Sequence, residues 1–176
     1  QHYVGSALDD RLCPRCRAIL PVNKPPFCIR CSRHLNNVTE ESLCPSCRSR
    51  LPCFDEAWAL LHYEGPAREL LHRFKFHDKT SVRHTFATLL RAFTQRYALQ
   101  FPDAEMVIPI PLHPVRLRER GYNQAALLAQ CVATEFNLQL REDILIRARH
   151  TPHQSELGAK DRWTNIKEAF RIKNSD

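Results

Sequence analysis

Two groups of residues in this chain are spaced for chemistry. The first is cysteine. Of the eight cysteines, six fall into C-x-x-C pairs: Cys13–Cys16, Cys28–Cys31 and Cys44–Cys47. A turn of this kind aims backbone N–H groups at thiolate sulfurs, and two such turns complete a tetrahedral zinc–sulfur site. Repetition of the pair at intervals of eleven or twelve residues argues for metal rather than redox chemistry. The ligand count leaves a question open, because three pairs offer six sulfurs and a closed zinc site takes four. Either one pair is left over, or a fourth pair stands upstream of Gln1. Cys53 and His34 are the substitute donors, and Cys131, on the apolar side of a helical pattern, reads as a core residue.

The second group is the set of cations in Met106–Gln124, MVIPIPLHPVRLRERGYNQ. Met106-Val107-Ile108 reads as a short buried strand that ends at Pro109 and Pro111. A loop then carries His113, Arg116, Arg118 and Arg120, and Gly121 closes it. Asn123-Gln124 lead into a helical pattern of Ala125, Leu127, Leu128, Cys131 and Val132. Strand, basic loop and helix form the plan of a phosphate or nucleotide site at the carboxyl end of a parallel sheet. Helix-start N–H groups and guanidinium groups would both face an anion there. The same residues also read as a solvated basic loop between two core elements, with His113 shaping the loop.

The elements that must position these groups follow from pattern. With 176 residues and 43% hydrophobic content, the chain is long enough for one ordinary domain and a small module. Residues 1–53 form the cysteine-rich module, poor in large apolar residues, so that metal would supply most of its folding energy. Residues 54–176 form an α/β domain. In it Ala57–Tyr63 reads as a strand. A helix follows Pro66 with Leu70, Leu71 and Phe74 on one side, and Arg68, Arg73, Lys75 and Lys79 line the region. Residues 81–99 form a second amphipathic helix. Leu138–Leu140 and Ile144–Ile146 read as further strands, giving a parallel sheet with helices on both faces. Arg147–Phe170 is polar and reads as a lid rather than a plain connection.

The net charge of +7 points to anionic partners such as phosphate esters or nucleic acid. No run approaches the ~18 apolar residues of a membrane span, and no signal-peptide pattern opens the chain. Cysteines in metal spacing rather than a disulfide framework place the protein in a reducing cytoplasm. Gln1 in place of an initiator methionine fits a trimmed or partial sequence.

The string VIPIPLHPVRLRERGYNQA closely resembles the signature of the ComF/GntX family of phosphoribosyltransferase-like proteins, and the likeness runs from Cys28 to Phe170. The resemblance implies a type I phosphoribosyltransferase fold behind an N-terminal zinc ribbon, and a role in DNA uptake during natural transformation. It implies a structural zinc on Cys28, Cys31, Cys44 and Cys47, because Cys44–Cys47 with Leu51-Pro52 and Phe54-Asp55 looks like the family's last knuckle. Cys13 and Cys16 then belong to a second, incomplete site. YEGPARELLHRFKFHDK is similar to the family's tyrosine-glycine-to-lysine segment and sets Lys75 at its lysine position. Thr151, Gln154, Leu157, Arg162, Asn165 and Phe170 fit the family pattern for the loop that, in type I phosphoribosyltransferases, closes over the ribose phosphate.

In that family an acidic pair and a Thr/Gly-rich loop hold the ribose and its 5-phosphate, at a position beyond Asp176. The chain has four glycines and no glycine-rich phosphate cradle. What it carries is the pyrophosphate side of such a site: Arg116, Arg118 and Arg120, with His113. In transferase chemistry these would stabilise the departing pyrophosphate, usually with Mg²⁺. No general base or nucleophile stands out.

Three functions compete. One is an active phosphoribosyltransferase acting on phosphoribosyl pyrophosphate and an unknown acceptor. Another is a protein that handles single-stranded DNA, with Lys75, Arg116, Arg118, Arg120 and Arg162 as contacts. The third is a zinc-ribbon adaptor that docks a partner protein, such as a component of the DNA-uptake machinery. The expectation is a competence-type phosphoribosyltransferase-like protein that binds single-stranded DNA, with phosphoribosyl pyrophosphate as a ligand of the intact protein and turnover left open.

Overall fold

The structure is a computed structural model that describes residues 12–37, 42–76, 80–152, 154 and 157–173. Lys79 lies outside the described residues. The chain divides into two compact units, residues 1–72 and 73–176, and its class is mixed α/β.

The first unit contains two five-residue helices, α1 (Pro14–Ala18) and α2 (Pro45–Ser49). Each starts on the proline of a Cys-Pro-x-Cys sequence, where a missing N–H costs nothing and φ is already helical. The run Ala57–Tyr63 is not a strand of its own. It makes a single antiparallel bridge, Val22↔Leu61, flanked by backbone bonds Asn23 N–H to Leu60 O (3.0 Å) and His62 N–H to Pro21 O (2.8 Å). Pro21 has no N–H to continue a ladder, so the pairing stays short. Buried Asn23 and Ser32 fasten this run from within. The Asn23 amide donates to Ser32 O (2.7 Å) and Ala59 O (3.0 Å), and the Ser32 hydroxyl accepts from Ala59 N–H at 2.7 Å.

Helix α3 (Gly65–Phe76) carries Phe74 in its last turns. In the second unit Phe74 is fully buried, with its ring 5.9 Å from Phe86 and 6.1 Å from Tyr122 between centroids. Its carbonyl accepts the Tyr122 hydroxyl proton. Helix α4 (Val82–Arg96) buries Phe86, Leu89 and Phe93 at helical spacing. It packs on α6 (Gln124–Phe136), which buries Ala129 and Ala133. Two alanines one turn apart let the helices approach closely.

The strands are few and short. β1 (Met106–Val107) pairs in parallel with β2 (Gln139–Leu140), Met106 opposite Gln139 and Val107 opposite Leu140. Helix α6 lies on the crossover between them, as parallel pairing requires. β3 (Leu145–Arg147) pairs antiparallel with β4 (Phe170–Ile172). The described residues thus form two two-stranded sheets, one parallel and one antiparallel, and not a broad parallel sheet covered on both faces. Among them, no helix is long and apolar enough to cross a membrane.

Because Phe74 joins α3 to α4 and to the segment before α6, Phe74→Ala should cost about 3–5 kcal/mol, the range for a buried phenylalanine. A lower urea midpoint with an unchanged m-value is the expected result; an unchanged midpoint would show that Phe74 does not anchor this core.

Candidate metal centre and basic cleft

The metal-capable group is built by local chain geometry. The Cys28–Cys31 turn closes through Ser32 N–H to Cys28 O at 2.9 Å, with Ser32 in the left-handed region. Pro45 starts α2 directly after Cys44, so that Cys47 turns back toward Cys44. The two turns meet: Cys44 N–H points at Cys28 Sγ at 3.3 Å. Cys28 and Cys44 are each 1% exposed, and Leu35 and Leu43 pack around the sulfurs. All four Sγ atoms, of Cys28, Cys31, Cys44 and Cys47, lie within 4.8 Å of one another. The Cys31–Cys44 separation is 3.7 Å, against about 3.8 Å between sulfurs on a tetrahedral ion with metal–sulfur bonds near 2.3 Å. The four residues could therefore hold a metal ion.

The titration of these thiols points the same way. Burial works against the Cys28 thiolate, yet N–H groups of Cys44, Cys31 and Arg30 outweigh it and bring its pKa down to about 6. Burial and the neighbouring sulfurs of Cys31, Cys44 and Cys28 push Cys47 up to about 12. The Cys47 N–H lowers Cys44 and burial raises Cys31, so two thiols of this cage are eased toward ionisation and two are held back. Only a cation at the centre lets all the sulfurs ionise.

The other donors stand apart. Among the described residues, the metal-capable group contains neither Cys13, Cys16, Cys53 nor His34. His34 Nδ1 bonds to the Lys24 carbonyl at 2.8 Å, and Cys53 is exposed. Cys13 and Cys16 do form a knuckle, with Cys16 N–H on Cys13 Sγ at 3.3 Å. It repeats the other one: Leu12-Cys13-Pro14-Arg15-Cys16-Arg17 matches Leu43-Cys44-Pro45-Ser46-Cys47-Arg48, and each starts a five-residue helix. Cys131 is half-buried on α6, its thiol on Leu127 O at 3.3 Å.

The basic stretch differs from its expected form. Pro114–Arg120 is not a loop but a helix, α5. Pro114 supplies the first helical residue, and Gly121 ends the helix at φ 75° in the left-handed conformation. His113 is the N-cap, its Nδ1 accepting from Val115 N–H at 3.3 Å. The helical period puts Arg116 and Arg120 on one side and Arg118 on the other. Arg116 pairs with Glu119 at 2.9 Å, Arg120 donates to Gln124 Oε1 at 3.0 Å, and Arg118 is exposed. Lys75 is exposed in the last turn of α3.

The expected lid lies between β3 and β4 and contains a helix, α7 (Ala159–Ile166). Its named residues hold the segment together. Thr151 is buried and accepts from Arg147 Nη2. Arg162 Nε donates to Gln154 O and Leu157 O, both at 2.9 Å. Gln154 donates to Arg162 O at 3.3 Å, and Asn165 to Pro152 O at 3.2 Å. Phe170 lies under the Arg147 guanidinium, 5.4 Å from its carbon to the ring centre.

These two segments meet at the His113 and His150 rings, 5.0 Å apart between centroids. Beside them a cleft of about 960 Å³ is lined by Arg83, His84, His113, Asn123, Gln130 and Arg147, among others. Arg147 Nε is buried without a hydrogen-bond partner. Burial, then Arg116 and Arg149, disfavour its charge. The sequence places Arg147 and Arg149 in an arginine-rich segment, Arg147–Arg162, expected at the same sheet edge as Arg116–Arg120, without a role of their own for Arg147, Arg149 or His150.

The architecture is that of a cysteine-knuckle module joined to a mixed α/β unit with a basic cleft. The chain is 33% identical over 165 residues to Competence protein F of Haemophilus influenzae, covering 92% of this chain and 69% of that protein. It is 28% identical over 163 residues to DNA utilization protein YhgH of Salmonella typhi, covering 92% and 64%. Over 71 residues it is 38% identical to Competence protein ComFC of Bacillus subtilis, covering 40% and 28%. The chain belongs to the ComF family. It spans about two thirds of the length of the first two relatives. No protein-family model matches it, and no solved structure matches it significantly.

Elemental analysis should find about one metal ion per chain, as four ligands make one closed site. Cys28→Ser with Cys47→Ser should abolish it, whereas Cys13→Ser with Cys16→Ser should leave it bound. Metal retained by the first double variant would remove the assignment.

His113 should also leave a mark on stability. Partial burial, then His150, Arg147 and Arg118, hold its pKa below the ordinary 6.5. Between 6.5 and that lower folded value the unfolded chain binds more protons, so stability falls as pH drops through the window. His113→Asn keeps a cap without a titrating group. With nine histidines in the chain, the readout is a difference: thermal midpoints of the variant should fall less on acidification than those of the wild type.

Proposed function

We propose that this chain acts in DNA uptake as a competence-type, phosphoribosyltransferase-like protein that binds single-stranded DNA through its basic surface. The observation that carries the reading is the meeting of α5 with the β3–β4 segment, which gathers His113, Arg116, Arg147, Arg149 and His150 in a chain of net charge +7. The names of the relatives, competence protein and DNA utilization protein, support the cellular role. In this reading the four-cysteine group holds a structural zinc, the ion that a closed all-thiolate tetrahedral site suits. The zinc would fix the first unit and take no part in chemistry. A type I phosphoribosyltransferase-like domain is the fold we assign to the second unit, on the strength of its βαβ crossover and the family signature.

A second reading concerns the cleft. Its volume suits a nucleotide-sized ligand. The unpartnered Arg147 Nε and the surrounding cations favour an anionic one, such as phosphoribosyl pyrophosphate with Mg²⁺. Cations here would stabilise a departing pyrophosphate. The two readings are compatible if sugar phosphate and DNA share one basic face.

Phosphate contacts release counterions, so single-strand affinity should fall steeply with salt. Arg116→Ala, Arg118→Ala and Arg120→Ala together should weaken binding, measured by anisotropy of a labelled oligonucleotide. The salt slope should flatten by roughly 0.7 per lost phosphate contact. Because Arg116 and Arg120 have partners within the fold, Arg118→Ala alone should account for part of the change. Unchanged affinity and slope in a folded, metal-loaded triple variant would remove α5 from the DNA site and leave the small-anion reading.

A further inference from the structure

Trp163 is 77% exposed. Burying an indole is strongly favourable and tryptophan is enriched at interfaces, so an open one offers a face to a partner. Its surroundings narrow the partner. Lys160 lies three residues before it on the same side of α7, and Lys167, the residue that caps the helix, lies four after it; both are exposed, while Asp161 falls on the opposite side. The two ammonium groups thus flank the indole along roughly 10 Å of helix axis, at about 1.5 Å per residue.

The platform is also held in place. Arg162 and Asn165 tie α7 to the preceding segment, and Arg149 Nη2 donates to Asn165 O at 3.0 Å. The opposite side of the helix is therefore occupied with holding it, and little ordering remains to be done on binding. Tyr122 and Trp58 are committed elsewhere. Tyr122 donates to the Phe74 carbonyl and its ring lies against Phe74. Trp58 packs edge-on against Phe27 and donates to Glu56.

We propose that Trp163 is a base-stacking platform for single-stranded DNA, with Lys160 and Lys167 holding the phosphates on either side of the stacked base. The proposal rests on the single-strand-binding reading above and adds to it a contact that electrostatics alone does not supply. Duplex DNA keeps its bases stacked on one another and offers the indole no free face. Trp163 therefore adds discrimination between single strand and duplex, and it does so with any base, since every base has a π-face.

The chain has two tryptophans, so Trp58→Phe leaves Trp163 as the lone reporter. Its emission should be quenched on titration with oligo(dT), saturating together with binding measured by anisotropy. Trp163→Ala should weaken oligo(dT) binding about five- to a hundredfold, the range for one stacked base, and Trp163→Phe should restore part of it. The salt slope should stay that of the wild type, because no phosphate contact is lost. Preference for oligo(dT) over a duplex of equal length should shrink. Unchanged oligo(dT) affinity in Trp163→Ala, while the α5 arginine variant still weakens binding, would overturn the stacking role and leave the electrostatic reading intact; Trp163 would then belong to a protein contact. Absence of any oligo(dT) binding by the wild type would overturn both.

Discussion

Four sulfurs within 4.8 Å of one another set an electrostatic condition that the first unit has to meet. Thiolates at that range repel; burial and then the neighbouring sulfurs push Cys47 up to about 12, while N–H groups bring Cys28 down to about 6. A divalent cation removes it and turns the same closeness into a set of bonds. The rest of the unit can then be small. Its buried residues are chiefly the cysteines with Leu12, Leu20 and Leu35, too few large side chains to offset chain entropy alone. Buried Asn23 and Ser32 draw the 57–62 run onto this centre through side-chain hydrogen bonds rather than a sheet ladder. A metal held here would couple binding to folding, because the four cysteines that could hold it also form the core.

The second unit works on a different balance. Its order comes from Phe74 packed against Phe86 and Tyr122 and from α4 packed on α6, with Leu89, Phe93, Ala129 and Ala133 buried. The Arg91–Glu135 pair across α4 and α6, with Arg91 exposed and Glu135 largely covered, adds one charged contact to that packing. The strands contribute few bonds. Their role is placement: β1 delivers the chain to Pro109–Pro111 and α5, and β3 delivers it to Arg147 and His150. Two short ladders thereby bring sequence-distant cations together.

Much of this was legible in the sequence wherever one face of an element meets the core. The periodic apolar residues of α3, α4 and α6 and the runs at β1, β2 and β3 showed themselves by spacing. β4 did not, because Phe170–Ile172 alternates too briefly to register. The stretch Pro114–Arg120 reads as a loop and folds as the helix α5. Seven residues with arginines at alternate positions carry no apolar stripe, and a helix that short is held by its ends, His113 with Pro114 at one and Gly121 at the other. Those end signals are present in the string, and they are what a reading by hydrophobic period passes over. Cysteine spacing gave the chemistry of the metal group but not its membership, since three equivalent pairs admit more than one pairing. The family resemblance picks Cys28, Cys31, Cys44 and Cys47, the same four that cluster in the structure, where Cys44 N–H meets Cys28 Sγ.

The same distinction governs the basic surface. A count of arginines treats Arg116, Arg118, Arg120 and Arg162 alike, but their partners divide them. Arg162 spends its Nε on two carbonyls and holds α7; Arg116 and Arg120 answer Glu119 and Gln124; Arg118 faces solvent. Arg147, absent from any motif reading, is the one whose buried Nε lacks a partner and whose charge is opposed by burial, Arg116 and Arg149. Like charges assembled against their own repulsion are stabilised by an anion that binds among them, and such groups concentrate where ligands bind. Cations paired within the fold build the surface, and the buried Nε of Arg147, left over after Nη2 bonds Thr151, marks where an anion would lower the energy of the whole.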